Sequence, residues 1–387
     1  MKNLFQLITF VSFSLIHSQI IHGKVETENG VGISGVNIYV DGTKIFTEST
    51  SDGSFQIDIN GQKTGNLIFQ KEYYETVAAG ISQILGKKVT VKMMRFQEIE
   101  EVEIIPFTDE AYRKYINYFL ETFIGMDLQN VRIRNQNTLK FSYDKNRKIL
   151  RVRAPKTLRI ENKKLGYDIS YNLMNYESDL ENHTVLYSGT SFFTETSAKQ
   201  EIKVNRMNAY YGSLMHFLRS IYRQNPDEEC FIVNYVRKIP NPKYPTDEEL
   251  LKLKEYWQIN KSNRNINVPP EISDISARKR GNKYILALTK SKLNVSEYTQ
   301  SKNGAILLSV PDILQVNYQL RPYEIKKGNP VQSAIPIHQS SMIFVEGNIF
   351  EIYSDGNTSD PELLLVDGDF GKNKISTMLP LDYQPGD

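Results

Sequence analysis

The chain has 387 residues, of which 40% are hydrophobic and 24% are charged. This composition is ordinary for soluble globular protein, and the length suffices for about two domains with cores of their own. The 47 Lys and Arg nearly balance the 45 Asp and Glu, giving a net charge of +2. Because a dedicated nucleic-acid binder carries a strongly basic face, we expect no nucleic-acid partner.

Residues 1–18 have the pattern of a secretory signal peptide. Lys2 gives a positive start, Leu4–Ile16 form a short apolar stretch, and Ser18 offers a small residue for cleavage. No later stretch reaches the roughly 18 apolar residues that a spanning helix needs. The single cysteine, Cys230, cannot form an internal disulfide. We expect an exported protein that is periplasmic, associated with the outer membrane or at the cell surface, without a transmembrane segment in the mature chain.

Residues 19–96 show the strand pattern of a small antiparallel sandwich. Asp41-Gly42 and Asp52-Gly53 each supply a tight hairpin turn between alternating apolar and polar stretches. The predicted strands are Ile21–Val25, Val36–Val40, Thr43–Thr47, Phe55–Ile59, Leu67–Phe69 and Val89–Met93. Short strands at this spacing, separated by turn residues, favour a β-sandwich.

Three motifs in this region resemble one known domain family. They are Gly23-x-Val25, Gly35-Val36-x-Ile38-x-Val40-x-Gly42-Thr43 and Ser51-Asp52-Gly53-Ser54-Phe55-x-Ile57. The pattern resembles the carboxypeptidase-regulatory-like domain, a transthyretin-like sandwich of seven strands that is common at the start of exported proteins of Bacteroidota. The resemblance implies a spacer or adaptor domain.

A zinc carboxypeptidase activity is not expected despite the name of that family. Such an enzyme needs a His and a Glu closely spaced on one loop, together with a distant His. None of His22, His183, His216 and His338 has a Glu three residues further on. We therefore expect no metal site and no cofactor.

Residues 97–107 are predicted to form an acidic linker. The segment resembles the short stretch that follows this sandwich in outer-membrane transporters of the same bacteria, where it engages an energising partner. The alternative is an edge strand or linker whose carboxylates face solvent. We favour the alternative because charged residues on an exposed edge are the usual protection against sheet pairing.

Residues 108–387 are predicted to form a larger α+β domain with mostly antiparallel strands. Thr108 can cap a helix that runs to Gly125, and Thr246 opens a capping box for a helix that runs to Trp257. The polar, proline-containing stretch 260–280 is predicted to be a loop. Strands are predicted at 131–133, 139–143, 149–152, 158–160, 167–173, 185–193, 231–236, 306–310, 342–345, 349–353 and 363–366.

The stretch Val204–Arg223 is predicted to be the central helix of this mainly β chain. Apolar residues recur in it at steps of three and four, which places them on one side of a helix. They are Met207, Tyr211, Leu214, Leu218 and Ile221. Gly212 in the middle costs about 1 kcal/mol relative to alanine in a helix, so we expect another backbone to approach closely there.

Further motifs resemble one set of exported Bacteroidota proteins that carry the same amino-terminal sandwich. These motifs are Phe119-x-x-x-Phe123-Ile124-Gly125, Leu165-Gly166-Tyr167-x-Ile169-x-Tyr171, Tyr187-x-Gly189-x-x-Phe192, Arg206-x-x-x-Tyr210-x-Gly212-Ser213-x-x-His216-Phe217 and Leu379-Pro380-Leu381-Asp382-Tyr383-x-Pro385. The resemblance implies architecture and location, and it implies no activity.

The central helix carries the candidate binding residues Arg206, Tyr210, Ser213 and His216. The first three present a cation and two hydroxyl groups suited to an anionic or sugar ligand, while His216 has no acid or nucleophile at a telling spacing. The alternative is that Arg206 pairs with a carboxylate, Tyr210 packs against the sheet and His216 is a satisfied structural histidine. We favour the alternative because buried polar groups are normally bonded internally.

Three weaker patterns are expected to carry no chemistry. Ser142-x-x-Lys145 and Ser276-x-x-Lys279 match a serine–lysine pair, but a chain this rich in both residues contains such matches by chance. Asp355-x-Asn357-x-Ser359 resembles a calcium loop but has Asp360 where glycine is needed, so a hairpin turn is predicted. The basic run 278–280 is predicted to be a solvated loop.

Together these patterns favour a non-enzymatic binding, structural or adaptor module of the cell envelope for a glycan, a peptide or another envelope protein. The hypothesis rests on the predicted export, the sandwich resemblance and the lack of a catalytic set. The alternative is an envelope hydrolase with a diffuse site near Arg206, Tyr210 and His216, beside a carboxylate such as Asp382.

Overall fold

The computed structural model describes a mainly β chain with antiparallel sheets, as predicted. The described residues are 19–95, 105–125, 127–261, 267–345, 347–372 and 374–387. The predicted signal peptide and residues 97–104 of the predicted acidic linker lie outside them. The chain forms two compact units, one of residues up to 203 together with 375–387 and the other of residues 204–374. These units divide the chain at other residues than the domains predicted from the sequence.

The amino-terminal part of the first unit is a sandwich of two sheets. Its elements are β1 (Ile20–Glu26), β2 (Asn37–Val40), β3 (Phe46–Glu48), β4 (Ser54–Asp58), β5 (Asn66–Gln70), β6 (Val77–Gly80), α1 (Ile81–Ile84) and β7 (Val89–Lys92). The sheets have the strand orders β4-β1-β7 and β3-β2-β5-β6. Every pair is antiparallel except β1 with β7, which run parallel. The sequence pattern does not reveal β6 or the parallel pair.

Alternation along the strands places one apolar row of each sheet in the sandwich core. In β4 the side chains of Phe55 and Ile57 are buried, while Gln56 between them is exposed. The ring of Phe55 meets that of Phe69 from the other sheet edge to face, with centroids 5.4 Å apart. Aromatic pairs favour this geometry, so the contact fastens the two sheets to each other.

The rest of the first unit is a helix on a six-stranded antiparallel sheet. Its elements are α2 (Asp109–Phe123), β8 (Val131–Ile133), β9 (Lys140–Asp144), β10 (Ile149–Arg153), β11 (Leu158–Asn162), β12 (Tyr167–Asp179) and β13 (Thr184–Glu195). The strand order is β8-β11-β12-β10-β9, and β13 pairs along the length of β12. β12 continues to Asp179, beyond its predicted end at Leu173. The prediction stopped too early because a register shift between Leu173 and Asn175 interrupts the alternation there.

Helix α2 begins where the sequence predicts. Thr108 Oγ1 accepts a hydrogen bond from the backbone N–H of Ala111 at 3.1 Å, which satisfies one donor of the first turn. The buried face of the helix is aromatic. The ring of Phe119 lies edge to face with the rings of Phe141 and Tyr176, at centroid distances of 5.8 and 4.9 Å.

The turn after β2 connects the sandwich to the six-stranded sheet by hydrogen bonds. The backbone N–H of Gly42 donates to Ser191 O at 2.7 Å, and the N–H of Ser191 donates to Asp41 Oδ1 at 2.8 Å. The N–H of Phe193 donates to Thr43 O at 2.9 Å. The turn therefore adds to the edge of β13, so the sandwich and the six-stranded sheet are not joined by a linker alone.

The carboxyl-terminal segment holds the other side of the same turn. The N–H of Leu381 donates to Gly42 O at 2.7 Å, and Asp382 Oδ1 accepts from the N–H of Lys44 at 3.2 Å. Tyr383 beside them is fully buried. We call residues 41–44, 190–193 and 379–383 the clasp.

The second unit combines helices with three sheets. Its elements are α3 (Gln200–Tyr210), within which the division between the units falls, α4 (Leu214–Tyr222), β14 (Phe231–Pro240), α5 (Asp247–Ile259), α6 (Pro270–Lys279), β15 (Tyr284–Lys290), β16 (Thr299–Lys302), β17 (Ala305–Ser309), β18 (Ile313–Leu320), β19 (Tyr323–Lys326), β20 (Asn329–Gln332), β21 (Ile337–Phe344), β22 (Ile349–Ile352), β23 (Leu365–Gly368) and α7 (Asp369–Lys372). The strand orders are β15-β14-β18-β21-β23, β16-β17-β22 and β19-β20. Helix α4 supplies Phe217, Leu218 and Ile221 to a core shared with residues of the two larger sheets.

The predicted central helix is two helices. α3 ends at Tyr210, α4 begins at Leu214, and Gly212 between them has a φ of +78° that a right-handed helix does not admit. A Cβ atom at Gly212 would lie 2.1 Å from Gln339 Oε1 and 2.7 Å from Tyr318 Cδ1. The expected crowding is present, but the expectation of a neighbouring backbone is wrong because side chains make the close approach.

Between β14 and β15 the chain forms a helical hairpin with a small core of its own. Thr246 caps α5 through the predicted capping box. The loop predicted for 260–280 is wrong in its second half, which is α6. Proline occupies its first helical position, and Ile272 and Ile275 pack against Leu253 of α5. Two isoleucines among the ten residues of α6 give too weak a period to be recognised without the partner helix.

Candidate functional site

The four residues predicted to bind a ligand lie close together in the second unit, and three are buried. Arg206 and Tyr210 on α3 are 1% and 2% exposed, and His216 in the first turn of α4 is 1% exposed. Ser213 is half-buried at the position that caps α4. The structure thus brings the four residues together, and it encloses most of their polar atoms in the interior.

Hydrogen bonds fix the orientation of His216 and the position of its proton. Ser213 Oγ accepts from the backbone N–H of His216 at 3.1 Å, which starts α4. The N–H of Gly212 lies 3.2 Å from His216 Nδ1. Because a backbone N–H only donates, Nδ1 is the unprotonated nitrogen and Nε2 carries the proton. Nε2 then donates to Glu229 Oε2 at 3.1 Å.

The surroundings of this imidazole are aromatic. The His216 ring lies 4.9 Å from the rings of Tyr210 and Phe231 and 5.7 Å from that of Tyr318. Burial lowers the pKa of His216, and the carboxylate of Glu229 opposes this effect. The ring is therefore a neutral, packed group at neutral pH, and both of its nitrogens are occupied by protein partners.

The cations of the cluster are also enclosed. The guanidinium of Arg219, a buried residue that the sequence did not single out, lies 5.4 Å from the centre of the Tyr210 ring. Arg219 Nε donates to the backbone oxygen of Asp355 at 3.0 Å. Burial raises the pKa of the Asp355 carboxyl, and the charge of Arg219 counteracts the rise. This arrangement ties α4 to the turn after β22.

The weaker sequence patterns lie in structural positions. Ser142 Oγ, in β9, donates to Ile105 O at 2.8 Å, and Ser276 lies inside α6. Asp355 Oδ1 accepts from the N–H of Asn357 at 2.9 Å, which closes a turn, as predicted. Asp382 belongs to the clasp. The role of Arg206, Tyr210, Ser213 and His216 in ligand binding stays a prediction.

Sequence reasoning missed an exposed apolar edge strand, β15. Tyr284, Leu286 and Leu288 are 44%, 44% and 61% exposed, and they alternate along the strand so that they lie on one face. Within the described ranges, β15 pairs with β14 and with no other strand. The signal was the stretch Tyr284–Thr289 between basic residues, which has the composition of a strand. We call β15 and residues 236–240 of β14 the ribbon.

The charged groups of the ribbon are basic. Lys238 stands opposite Leu286 in the register, and its Nζ lies 5.3 Å from the centre of the Tyr284 ring. Lys283 lies 5.9 Å from the same ring. Arg237 differs from these lysines because a carboxylate pairs with it. It forms a bidentate salt bridge with Asp312, with N–O distances of 3.0 and 2.8 Å. The ribbon is thus an apolar strip with cations beside it.

No helix in the described part of the chain is long and apolar enough to cross a membrane. Over the same residues, no three His, Cys, Asp or Glu side chains converge as ligands for a metal ion.

The comparison with protein families gives a match to the amino-terminal domain. A family model described as the teneurin TTR-like domain matches residues 13–102. The two sheets of residues 19–95 therefore form a transthyretin-like domain. No curated protein matches the chain.

Proposed function

We propose that this chain is an exported, non-enzymatic adaptor of the bacterial cell envelope that binds a partner protein through the ribbon. The observation that carries the proposal is the exposed apolar edge of β15. Large apolar side chains grouped on an exposed strand mark interaction surfaces, because leaving them in water is unfavourable. Among the ligands considered from the sequence, a protein or peptide fits this surface better than a glycan.

The two units suggest a division of labour. In the first unit, the clasp binds the transthyretin-like domain to the second sheet, which suits a spacer that must hold its shape. In the second unit, His216 is bonded at both ring nitrogens, and Arg219 is buried against Tyr210. These groups stabilise the helix pair α3 and α4, which leaves the exposed surface to carry the binding function.

Capture of envelope proteins by the purified full chain tests the proposal. The wild type is immobilised beside a Leu286→Lys, Leu288→Lys double variant, and solubilised envelope of the source cells is passed over both. We expect at least one protein that the wild type retains and that the double variant retains at least tenfold less.

The matched control is Leu363→Lys, because Leu363 is a leucine of the same unit with 58% exposure, close to that of Leu288. This variant should capture the same protein as the wild type. Thermal unfolding shows whether each variant folds. A captured set that is the same for all three chains rejects the ribbon as the binding surface.

A further inference from the structure

Among the residues that the structure describes, the outer edge of β15 lacks the protection that edge strands normally carry. Exposed edges are usually blunted by charged side chains along the strand, by proline or by a covering element, since free backbone N–H and C=O groups pair with any available strand. The basic residues stand only at the ends, with Lys283 just before β15 and Lys290 as its last residue, and the middle of the strand is Ile285–Leu288. As far as the described residues go, the edge therefore offers both unpaired backbone groups and apolar side chains.

All charged residues in the two stretches of sequence that form and flank the ribbon are basic. Residues 230–246 contain three Lys or Arg and residues 276–296 contain six, whereas neither range contains an Asp or Glu. Acidic residues outside these ranges neutralise some of the charges, as Glu297 does for Lys290. Lys238 and Lys283 contact no carboxylate in the part of the chain that the structure describes. Two uncompensated cations therefore lie beside the apolar strip.

We propose that the outer edge of β15 binds an extended acidic segment of a partner protein, which adds to the sheet as a further strand. Backbone hydrogen bonds would supply affinity, and alternate side chains would supply specificity. Apolar residues of the segment would cover Leu286 and Leu288, and a carboxylate on the same face would lie near Lys238, which shares that face because it pairs with Leu286. A second carboxylate would lie near Lys283, beside the Tyr284 ring. The inference rests on the proposed function and specifies the chemistry of the partner.

An anionic membrane would match the charge and the apolar side chains equally well. It would not satisfy the backbone groups of the edge, because hydrocarbon offers no hydrogen-bond partner to N–H and C=O. A peptide strand satisfies all three features, and this decides between the two classes.

Three synthetic peptides of nine residues test the inference against the full-length protein by fluorescence anisotropy. The first, the Glu–Val peptide, repeats Val-Thr-Glu-Thr so that Val and Glu share one face. The second has Lys in place of Glu, and the third is the Glu–Val peptide with every backbone nitrogen methylated. We expect the first to bind, and the second and third to bind at least tenfold more weakly. The methylated peptide keeps the charge but lacks the backbone donors of both edges, so it cannot add to β15 by either edge.

Two variants localise the binding. Lys238→Glu with Lys283→Glu should weaken binding of the Glu–Val peptide at least tenfold, whereas Leu363→Lys should leave it unchanged. Equal binding of the methylated peptide, no binding of the Glu–Val peptide, or binding only to vesicles of phosphatidylglycerol and phosphatidylcholine overturns the inference. If the peptide fails while the Leu286→Lys, Leu288→Lys variant still loses the captured protein, the adaptor function stands and the partner chemistry is wrong. If that variant loses nothing, the adaptor function itself fails.

Discussion

Asp41 is a carboxylate whose environment in the clasp disfavours its charge. Burial raises its pKa from 3.8 to about 6, although the backbone N–H groups of Ser191 and Gly42 favour the charged form. The desolvation of the carboxylate exceeds the gain from these two hydrogen bonds. On the other side of the same turn, burial also raises the pKa of Asp382. At the scale of single residues, the clasp therefore contains two buried carboxyl groups that accept backbone hydrogen bonds but lose much of their hydration.

Replacing Asp41 with asparagine should change the pH dependence of stability. The Asp41 carboxyl keeps its proton to a higher pH in the folded chain than in the unfolded one. The stabilisation that the protonated carboxyl gives the folded state is therefore fully present below about pH 4, and it is lost as the pH rises through about 6. The difference between these pKa values corresponds to roughly 3 kcal/mol. Urea unfolding from pH 4 to pH 7 should show Asp41→Asn gaining up to this amount over the wild type as the pH rises.

The comparison is a difference between two chains, so the titration of Asp382 and other groups cancels. Asp41→Ala serves as the control, because it removes the charge together with the acceptor for the Ser191 N–H. A gap between wild type and Asp41→Asn that stays constant with pH, or narrows as the pH rises, contradicts the prediction.

Gly212 combines a positive φ with neighbours that leave no room for a side chain. Gly212→Ala should lower the free energy of unfolding by about 2–4 kcal/mol, since it adds backbone strain to an overlap with the Tyr318 ring. Gly304 has a similar φ of +82° and no neighbour within 4 Å. Gly304→Ala should therefore cost only the strain, about 1–2 kcal/mol. Equal losses for the two variants in urea unfolding would show that the crowding has no effect.

At the scale of elements, the break between α3 and α4 organises the second unit. The turn at Gly212 frees Ser213 to cap α4 and brings the N–H of Gly212 to the ring of His216. In a continuous helix the N–H of His216 would instead donate to the carbonyl oxygen of Gly212, and Ser213 would have no capping role. Within the second unit, the apolar face of α4 then packs as one side of the core, while α3 carries Tyr210 and Arg206.

Removal of the cap distinguishes a structural Ser213 from a ligand-binding one. Ser213→Ala should lower the free energy of unfolding by about 1 kcal/mol, because the N–H of His216 loses its acceptor. Ser213→Asn keeps a capping oxygen and should stay within a few tenths of a kcal/mol of the wild type. Both variants should capture the same partner as the wild type in the pull-down. Loss of capture without loss of stability would instead support the binding role predicted from the sequence.

At the scale of the whole molecule, the first unit is built from segments far apart in the chain. Residues 375–387 return to the unit that contains residues up to 203. Asn162 Nδ2 donates to Ser376 O at 3.0 Å, and Tyr39 Oη lies 2.9 Å from Thr190 Oγ1 in the buried joint. These contacts span 214 and 151 residues. Buried hydrogen bonds therefore connect the six-stranded sheet both to the transthyretin-like domain and to the returning segment 375–387.

Truncation after Met378 should destabilise the transthyretin-like domain, although the removed residues are distant in sequence. The truncation removes the donor to Gly42 O and two buried side chains, Leu379 and Tyr383. We expect the free energy of unfolding to fall by at least about 4 kcal/mol from the removal of these two buried side chains alone. Amide hydrogen exchange in β2 and β13 measures it. Truncation after Gln384 keeps these groups and should leave exchange unchanged. Protection that survives the longer truncation would show that the clasp does not couple the sheets.

Local patterns in the sequence were enough to predict most of the strands, the cap of α2, the capping box of α5 and the small antiparallel sandwich, which the resemblance to a known family predicted to be transthyretin-like. Each of these depends on residues near one another in the chain, such as the alternation in β4 or Thr108 three residues before its donor. Alternation, turn glycines and caps act over a few residues, so their meaning does not depend on the rest of the fold.

The tertiary structure alone decided the break at Gly212, the existence of α6, the clasp and the exposure of β15. The pattern of Val204–Arg223 fits one helix until Tyr318 and Gln339 occupy the space beside Gly212. Likewise, an apolar strand such as β15 has the same composition at the centre of a sheet as at its edge. Burial and crowding are set by other elements of the fold, such as Tyr318 beside Gly212 or Leu253 beside α6, and no local period in the chain records them.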